Sequence, residues 1–416
     1  MASQRMFDAM VLGAGIVGIS TAIHLQKSGL ETVLVDRREP GRETSYGNAG
    51  IIQREGVHPY LFPREPGKLL LYALNLRPEA HYQITSAFKV APFLLRYFLA
   101  SNRQTARRTF EANLPLFERC LTSHEALASE AGAISLIAKG GWIKLLRSNA
   151  GIAAAEREMA ELDAIGISAS ALGLTELAEL EPHVNVSRIA HAVHYCDPWT
   201  VSDPGGLSTA YADLFRKIGG VIERGDANTL QRHGSVFTVG GRVRASQAVV
   251  ALGPWSQLLL DKFGIRSPLG VKRGYHQHFK AKGNTYLNRP ILDDDKGYVL
   301  APMVNGIRLT TGAEFAAIDA PFNPVQVGRC LPLACEIVDL GEAVEEKPWM
   351  GSRPVMPDML PVIGGSSDVP GLWFNFGHAH HGLTLGPATG LLLAQIISGA
   401  TPYTDPAPYR LNRFAS

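Results

Sequence analysis

Three glycines close to the N-terminus have the types and spacing of a phosphate-binding turn. They follow the apolar run 9–12 and lead into residues with helical spacing. The first glycine would permit a tight turn, the second would let the backbone approach a pyrophosphate, and the third would let the helix pack against the strand. The helix N-terminus would offer free N–H groups to the phosphates. The residues expected at this turn are Gly13, Gly15, Ile16, Val17 and Gly18.

An acid completes this motif. The strand-like run 32–35 ends at Asp36, so strand, turn, helix, strand and acid occur within about 30 residues. Asp36 could accept hydrogen bonds from both ribose hydroxyls and would repel a 2′-phosphate. The segment therefore predicts a dinucleotide site, against the alternative of a purely structural glycine turn.

Small and hydroxyl-bearing residues follow the acid. Such residues suit a loop beside a bulky ligand, although a polar surface loop is the alternative. The residues that we expect near the ligand are Arg37, Thr44, Ser45, Asn48, Ala49 and Gly50.

Two later glycine-containing turns could return the chain to the same ligand. The buried-strand pattern 248–252 ends at Gly253, and Ala251 and Gly253 would leave room for a close approach. Gly382, Leu383 and Thr384 precede an apolar helix, whose N–H groups could face a site of developing negative charge. The alternative for the second turn is an ordinary helix cap.

An arginine and three histidines are the candidate side chains for chemistry. Arg353 lies in a proline-rich stretch expected to be a loop, and its planar fork suits bidentate binding of a carboxylate; a structural salt bridge is the alternative. His378, His380 and His381 are too closely spaced for a metal site, and we expect none. A hydrogen bond to the ligand and a structural role remain open for each histidine.

The elements that must position these residues follow from periodicity. Helical spacing recurs through 67–131, a further helix begins near Asp203, and a final helix is expected over 388–397. Alternating patterns through 265–335 predict antiparallel strands. With 416 residues we expect two domains, the first interrupted by the second.

The chain resembles the D-amino-acid oxidase-like family of FAD-dependent oxidoreductases, and most closely its bacterial D-amino-acid dehydrogenase branch. The resemblance is carried by the glycine motif with Asp36, by residues 44–45 and 48–50, by the turn at 251–253 and by the segments 351–364 and 377–390. It implies an α/β fold: a doubly wound, Rossmann-like FAD domain (1–56, 182–262, 346–416) interrupted by an α+β substrate domain with a mixed or antiparallel sheet (57–181, 263–345).

The resemblance also implies that the cofactor is FAD and indicates which residues bind the substrate and the flavin. Arg353 matches an arginine that binds the substrate carboxylate, and 382–384 match a loop beside the flavin pyrimidine. Tyr275 is similar to a tyrosine at the substrate site. His378 is a further candidate for a catalytic residue. The histidine-rich sequence at 378–381 departs from the commoner glycine-containing loop.

The implied activity is oxidative deamination of a small amino acid, D- rather than L-, in amino-acid catabolism. Hydride would pass from Cα to flavin N5, and the imine would hydrolyse to a keto acid and ammonium. An oxidase or dehydrogenase of secondary or cyclic amino acids, such as glycine, sarcosine or D-hydroxyproline, is the alternative. A flavoprotein acting on modified RNA and a non-enzymatic nucleotide-binding module are further rivals. Oxygen, a quinone and a carrier protein all stay open as electron acceptor.

The composition limits which binding partners and which cell compartment we expect. The net charge of +2 and the lack of a long basic run give no reason to expect nucleic acid. Four cysteines without a CxxC spacing indicate reduced thiols in a cytoplasmic protein. We expect no integral membrane segment, and leave open a peripheral contact at the inner face of the cell membrane.

Overall fold

The computed structural model of the chain describes residues 5–415, the side chain of Lys68 excepted. The α-helices of this part of the chain are α1 Ile16–Lys27, α2 Pro66–Ala73, α3 Ala87–Ala100, α4 Arg103–Glu130, α5 Ile152–Asp163, α6 Leu174–Leu180, α7 Pro204–Lys217, α8 Ser256–Leu260, α9 Val325–Cys335 and α10 Gly382–Ser398. The helical spacing through 67–131 is thus confirmed as α2, α3 and α4, and the helix expected near Asp203 is α7.

The strands alternate with these helices along the chain. They are β1 Met6–Leu12, β2 Thr32–Asp36, β3 Ile51–Ile52, β4 Ala80–Tyr82, β5 Ile137–Lys139, β6 Trp142–Leu146, β7 Ala169–Leu172, β8 His191–Tyr195, β9 Trp199–Val201, β10 Val221–Arg224, β11 Gln231–His233, β12 Val236–Val239, β13 Val243–Val250, β14 Gly270–Ala281, β15 Ile291–Asp293, β16 Tyr298–Met303, β17 Gly306–Thr311, β18 Ala313–Phe315, β19 Leu340–Ala343, β20 Trp349–Val355, β21 Val362–Gly365 and β22 Leu372–Phe376.

The first sheet has a parallel centre of β10, β2, β1, β13 and β22. Strands β12 and β11 continue it antiparallel beyond β13, and β21 pairs antiparallel with β22. Parallel strands covered on both faces read as continuous apolar runs, which is why residues 9–12 of β1 and 248–250 of β13 show no alternation. The register Val11↔Val249 brings the turn after β13 beside the turn after β1, as the sequence predicted.

Helix α1 packs against this sheet and against α10. The two helices approach so closely that a Cβ added at Gly390 would stand 2.7 Å from the backbone nitrogen of Thr21. Ile19, Ile23 and Leu392 are fully buried in the shared core. This packing fixes the N-termini of both helices relative to one another.

The second sheet is mixed and is organised around β14. This long strand pairs antiparallel with β17, β18, β19 and β20, and β16, β15, β6, β8 and β7 extend the sheet from β17. Pairs β15–β6 and β18–β4 are parallel, while the others are antiparallel. A small sheet of β3, β9 and β5 joins the two halves. The expected fold class, a doubly wound domain interrupted by a domain with a mixed sheet, is confirmed.

Four strands of the segments expected in the first domain lie outside the first sheet: β8 and β20 in the second sheet, and β3 and β9 in the small sheet. Strand β8 pairs with β6, and β20 pairs with β14, so both belong to the second sheet. The expectation placed 1–56, 182–262 and 346–416 with the first sheet. Strand partners are set by long-range contacts, which a local pattern does not encode.

Candidate active site

The glycine turn after β1 is built by close backbone contacts. Gly13 has a φ of +106°, and a Cβ there would stand 2.5 Å from the Ala251 carbonyl oxygen. A Cβ at Gly18 would overlap the carbonyl oxygen of Gly13. Both positions therefore require glycine, and the second turn does return to the first. Gly253, with a φ of +55°, completes the second turn.

Asp36 is held by two backbone N–H groups. One carboxylate oxygen accepts from the Ala14 amide at 2.6 Å and the other from the Arg38 amide at 2.9 Å. A carboxylate has about four lone-pair sites, so Asp36 retains acceptor capacity towards a ribose. Arg37, the next residue, lies over the Trp255 ring at 5.0 Å. Sequence reasoning missed Trp255, although it directly follows the second glycine turn.

The loop after β2 connects the helix α1 N-terminus to the rest of the site. Ser45 Oγ accepts from the Ile16 amide at 2.9 Å, and the Thr44 hydroxyl donates to the Ser352 carbonyl at 3.0 Å. The Asn48 side-chain amide donates to the His380 carbonyl at 3.3 Å. Gly50 has a φ of +73° and turns the chain into β3. The loop thus joins α1, β20 and the histidine segment.

A cavity of about 780 Å³ runs past these residues. Gly13, Asp36 and Ala49 line it near the first sheet, and Arg353 and Tyr275 line it near the second. Of the residues that the sequence analysis proposed, Gly18, Gly50, His381 and Thr384 do not line the cavity. The volume lies within the range of about 300–1,000 Å³ common for ligand sites. The cavity fits FAD, because the glycine turn forms a cradle that side chains would fill.

Helix α10 begins at Gly382, six residues before the expected start. Pro387 lies inside it and has no N–H, so the Leu383 carbonyl lacks its usual partner. Nε2 of buried His124 donates to that carbonyl at 2.7 Å. This contact allows the helix to extend to Gly382, where N–H groups of its first turn have no intrahelical acceptor. Gly382 and Leu383 line the cavity, while the Thr384 hydroxyl accepts a hydrogen bond from the backbone N–H of Gln53 at 3.1 Å.

Arg353 lies on β20 and not in a loop, because β20 pairs along its length with β14. Its guanidinium donates to the Gly312 carbonyl at 2.9 Å and the Thr311 carbonyl at 3.3 Å. An arginine has five N–H donors, so the group keeps donors for a ligand. Burial lowers the pKa of Arg353 to about 10, which leaves it charged at neutral pH.

The Tyr275 hydroxyl is occupied by other contacts. It donates to a Glu314 carboxylate oxygen at 2.6 Å and accepts from the Arg273 guanidinium and the Asn323 amide, each at 3.2 Å. One donor and two acceptor positions exhaust what a phenol offers. Any contact between Tyr275 and a ligand is therefore left to its ring or backbone.

The histidine segment lies beside Arg353. His378 Nε2 is 3.0 Å from the Thr389 hydroxyl, and burial lowers the pKa of His378 to about 3. Ala379 adopts a φ of +51° and donates its N–H to the Pro354 carbonyl at 2.7 Å. The rings of His380 and His381 are 3.8 Å apart. These imidazoles are neutral at physiological pH, and within residues 5–415 no group of three His, Cys, Asp or Glu side chains could hold a metal ion.

Two ionisable residues of the cavity whose pKa values lie near 7 were missed. Lys272 lies directly opposite Arg353 on β14, and burial together with the charge of Arg353 lowers its pKa to about 7. Glu55 is buried and accepts from the Trp142 indole N–H at 2.7 Å; burial raises its pKa to about 7. Neither has a local motif that would mark it as part of the site.

Residues 8–396 match the family of FAD-dependent oxidoreductases that includes D-amino-acid oxidase, so the chain belongs to that family. It is 29% identical to a D-amino-acid oxidase of Bradyrhizobium diazoefficiens, over 97% of this chain and 98% of that one. It is 27% identical to a D-amino acid dehydrogenase of Chromohalobacter salexigens, over 98% and 100%. The fold is similar to the crystal structure of glycine oxidase from Geobacillus kaustophilus, with a TM-score of 0.74, 22% identity and 99% of both chains covered.

The family membership confirms the expected cofactor and enzyme class: the protein is an FAD-dependent oxidoreductase. The resemblance drawn from the glycine motif and the C-terminal segments is confirmed as well. No helix within residues 5–415 is long and apolar enough to cross a membrane. The four cysteines form no disulfide among the described residues.

Proposed function

We propose that the protein oxidises the Cα–N bond of a small D-amino acid to an imine, which water hydrolyses to a keto acid and ammonium. The observation that carries this proposal is Arg353, a charged guanidinium in the cavity wall whose contacts are backbone carbonyls and not a carboxylate. An amino acid supplies the missing carboxylate. The names of the D-amino-acid relatives support the same substrate class.

Positioning is the main contribution of the side chains. Arg353 binds the carboxylate through two parallel N–H donors and so fixes the direction of the Cα–H bond. Bound FAD supplies the hydride acceptor for that bond. The free N–H groups at the start of α10 face the cavity at Gly382 and Leu383, where they stabilise negative charge.

The substrate amine must lose its proton before hydride leaves. His378 and His381, with pKa values of about 3, are too weakly basic to take it at neutral pH. We assign the proton to water that enters with the substrate. The order of steps is thus carboxylate binding, proton loss to water, hydride transfer and hydrolysis.

An anaerobic substrate screen tests the proposal. D-alanine, L-alanine, glycine, sarcosine and D-hydroxyproline are each mixed with the FAD-loaded protein, and flavin absorbance is followed. The expected result is fastest bleaching by D-alanine. Faster bleaching by sarcosine or D-hydroxyproline would favour the secondary-amine alternative, and no bleaching by any of them or by D-glutamate would overturn the proposal.

We also propose that the protein works in the cytoplasm and contacts the lipid surface peripherally. Apolar side chains of α2, α3 and their connection are exposed: Leu70, Leu74, Leu76, Ile84 and Phe88. Phe88 is 96% exposed, and the exposed Arg96 could meet an anionic headgroup, while Lys89 nearby pairs with Asp319 at 2.8 Å. Flotation with anionic vesicles should carry the protein upward, and Phe88→Asp should abolish this. A protein that stays at the bottom of the gradient contradicts the contact.

A further inference from the structure

Three nitrogen-bearing side chains meet at one end of the cavity. Lys272 and Arg353 are direct partners in the register of β14 and β20 and line the cavity together. His380 lines it too, close enough for the charges of Lys272 and Arg353 to lower its pKa. The cluster of Lys272, Arg353 and His380 is called the basic end below.

The basic end holds no carboxylate among the described residues. The Lys272 ammonium lies 4.1 Å from the centroid of the Tyr97 ring and 5.5 Å from that of Phe315, and only burial and Arg353 affect its pKa. His380 Nε2 is buried without a hydrogen-bond partner. Three other shielded arginines each pair with an acid: Arg273–Glu314 at 3.2 Å, Arg147–Asp293 at 2.7 Å and Arg289–Glu181 at 3.0 Å. Buried Arg308 contacts His278 and two backbone carbonyls instead.

Like charges directly opposite on neighbouring strands destabilise a sheet. A bound anion removes this penalty. One carboxylate can take both of its hydrogen bonds from the guanidinium of Arg353 alone. Lys272 and the unpartnered nitrogen of His380 therefore exceed what a monocarboxylate requires. These two side chains could therefore bind a second anionic group.

We propose that Lys272 and His380 bind a second carboxylate, so that the substrate class is an amino acid with a carboxylated side chain. This inference rests on the proposed function and narrows its substrate. Lys272 and His380 are specificity-determining residues, while Arg353 keeps the α-carboxylate.

Proton uptake on ligand binding is an expected consequence of this assignment. The groups that face Lys272 are Arg353, His380 and the Tyr97 ring, and none of them is an acid. At pH 8 an ammonium with a pKa near 7 is mostly neutral, and a bound dianion restores its charge. Binding of glutarate at pH 8 should therefore take up close to one proton per site, whereas butyrate should take up much less.

Matched substrates and variants test the inference. D-Glutamate and D-glutamine have the same shape and differ in the side-chain charge. The wild type should reduce its flavin with D-glutamate at least about tenfold more efficiently in kcat/KM, mostly through KM, which corresponds to one charge-assisted contact. Lys272→Met should remove the preference and the glutarate-linked proton uptake. Lys280→Met, on the same strand but exposed and paired with Glu342, should preserve both.

The outcomes separate the two proposals. An equal loss of rate on both substrates in Lys272→Met would assign Lys272 to the chemistry at the amine and overturn the specificity role. D-Alanine turnover without any preference for D-glutamate would overturn the inference and leave the proposed function intact. Glutarate binding that requires Lys272, in a protein that no amino acid reduces, would support the basic end and overturn the proposed function.

Discussion

The guanidinium of Arg353 lies directly over the Cα of Gly274. A Cβ built on Gly274 would stand 2.5 Å from Nη2 of Arg353 and 2.7 Å from its Cζ. The two residues belong to neighbouring strands, with Gly274 two positions beyond the register partner of Arg353. Glycine is therefore required on β14 for the arginine to lie flat on the sheet and face the cavity.

Gly274→Ala should displace Arg353 without affecting the FAD end of the cavity. The expected result is a rise in KM for the amino acid and a fall in kcat/KM of at least about tenfold, because a misplaced fork loses one of two parallel hydrogen bonds. Steady-state kinetics and FAD content measure the two effects. Unchanged kinetics in a folded variant would show that the position of Arg353 does not depend on the space above Gly274.

The parts of the site that sequence could predict are those built from neighbouring residues. Gly13, Gly18 and Asp36 follow one another through a strand, a turn, a helix and a strand, so their spacing alone indicates their positions. The strand position of Arg353 and the presence of Lys272 beside it depend on pairing across a sheet between distant segments. Such pairing has no local signature.

Helix α10 was predicted too short for a similar reason. Pro387 normally argues against a helix continuing through it. The acceptor that it leaves unpaired is satisfied by His124, which is 259 residues away in the chain. A compensating contact at that separation is visible only in three dimensions.

His124 should make stability depend on pH. Burial lowers the pKa of His124 to about 4, below that of about 6.5 in an unfolded chain. Stability from the neutral imidazole is thus present above pH 6.5 and is lost as pH falls towards 4, by about 2 kcal/mol between pH 7.5 and 5. Urea unfolding of wild type and His124→Gln should show a smaller pH dependence in the variant. Exposed His233→Gln serves as the control, and equal slopes for all three proteins would contradict this role.

Two helical glycines should respond oppositely to alanine. Gly18→Ala should destabilise the protein severely and abolish FAD retention, because its Cβ would overlap the Gly13 carbonyl. Gly328→Ala in α9 meets no atom within 4 Å and should stabilise by about 0.5–1 kcal/mol through helix propensity. Thermal unfolding with and without added FAD compares them. A Gly18→Ala protein as stable as the wild type would refute the packing described for α1.

Asp36→Ala should weaken FAD binding while the fold persists. A charge-assisted hydrogen bond contributes about 1.5–3 kcal/mol, so the Kd for FAD should rise roughly ten- to hundredfold. Fluorescence titration of the apoprotein measures this. Asp213→Ala, which removes an exposed acid from α7, is the control and should bind FAD as the wild type does. Equal affinities for all three proteins would show that Asp36 is not the ribose contact.

The most direct test of the account is the rate of anaerobic flavin reduction by an amino acid and by its amide, in the wild type and in Arg353→Lys. Lysine preserves the charge but cannot present two parallel donors. We predict that the wild type prefers the acid over the amide, and that Arg353→Lys loses at least about a hundredfold in kcat/KM on the acid, with FAD still bound. A wild type that oxidises amides as readily as acids, or an Arg353→Lys protein with wild-type rates, would contradict the carboxylate site on which the proposed function depends.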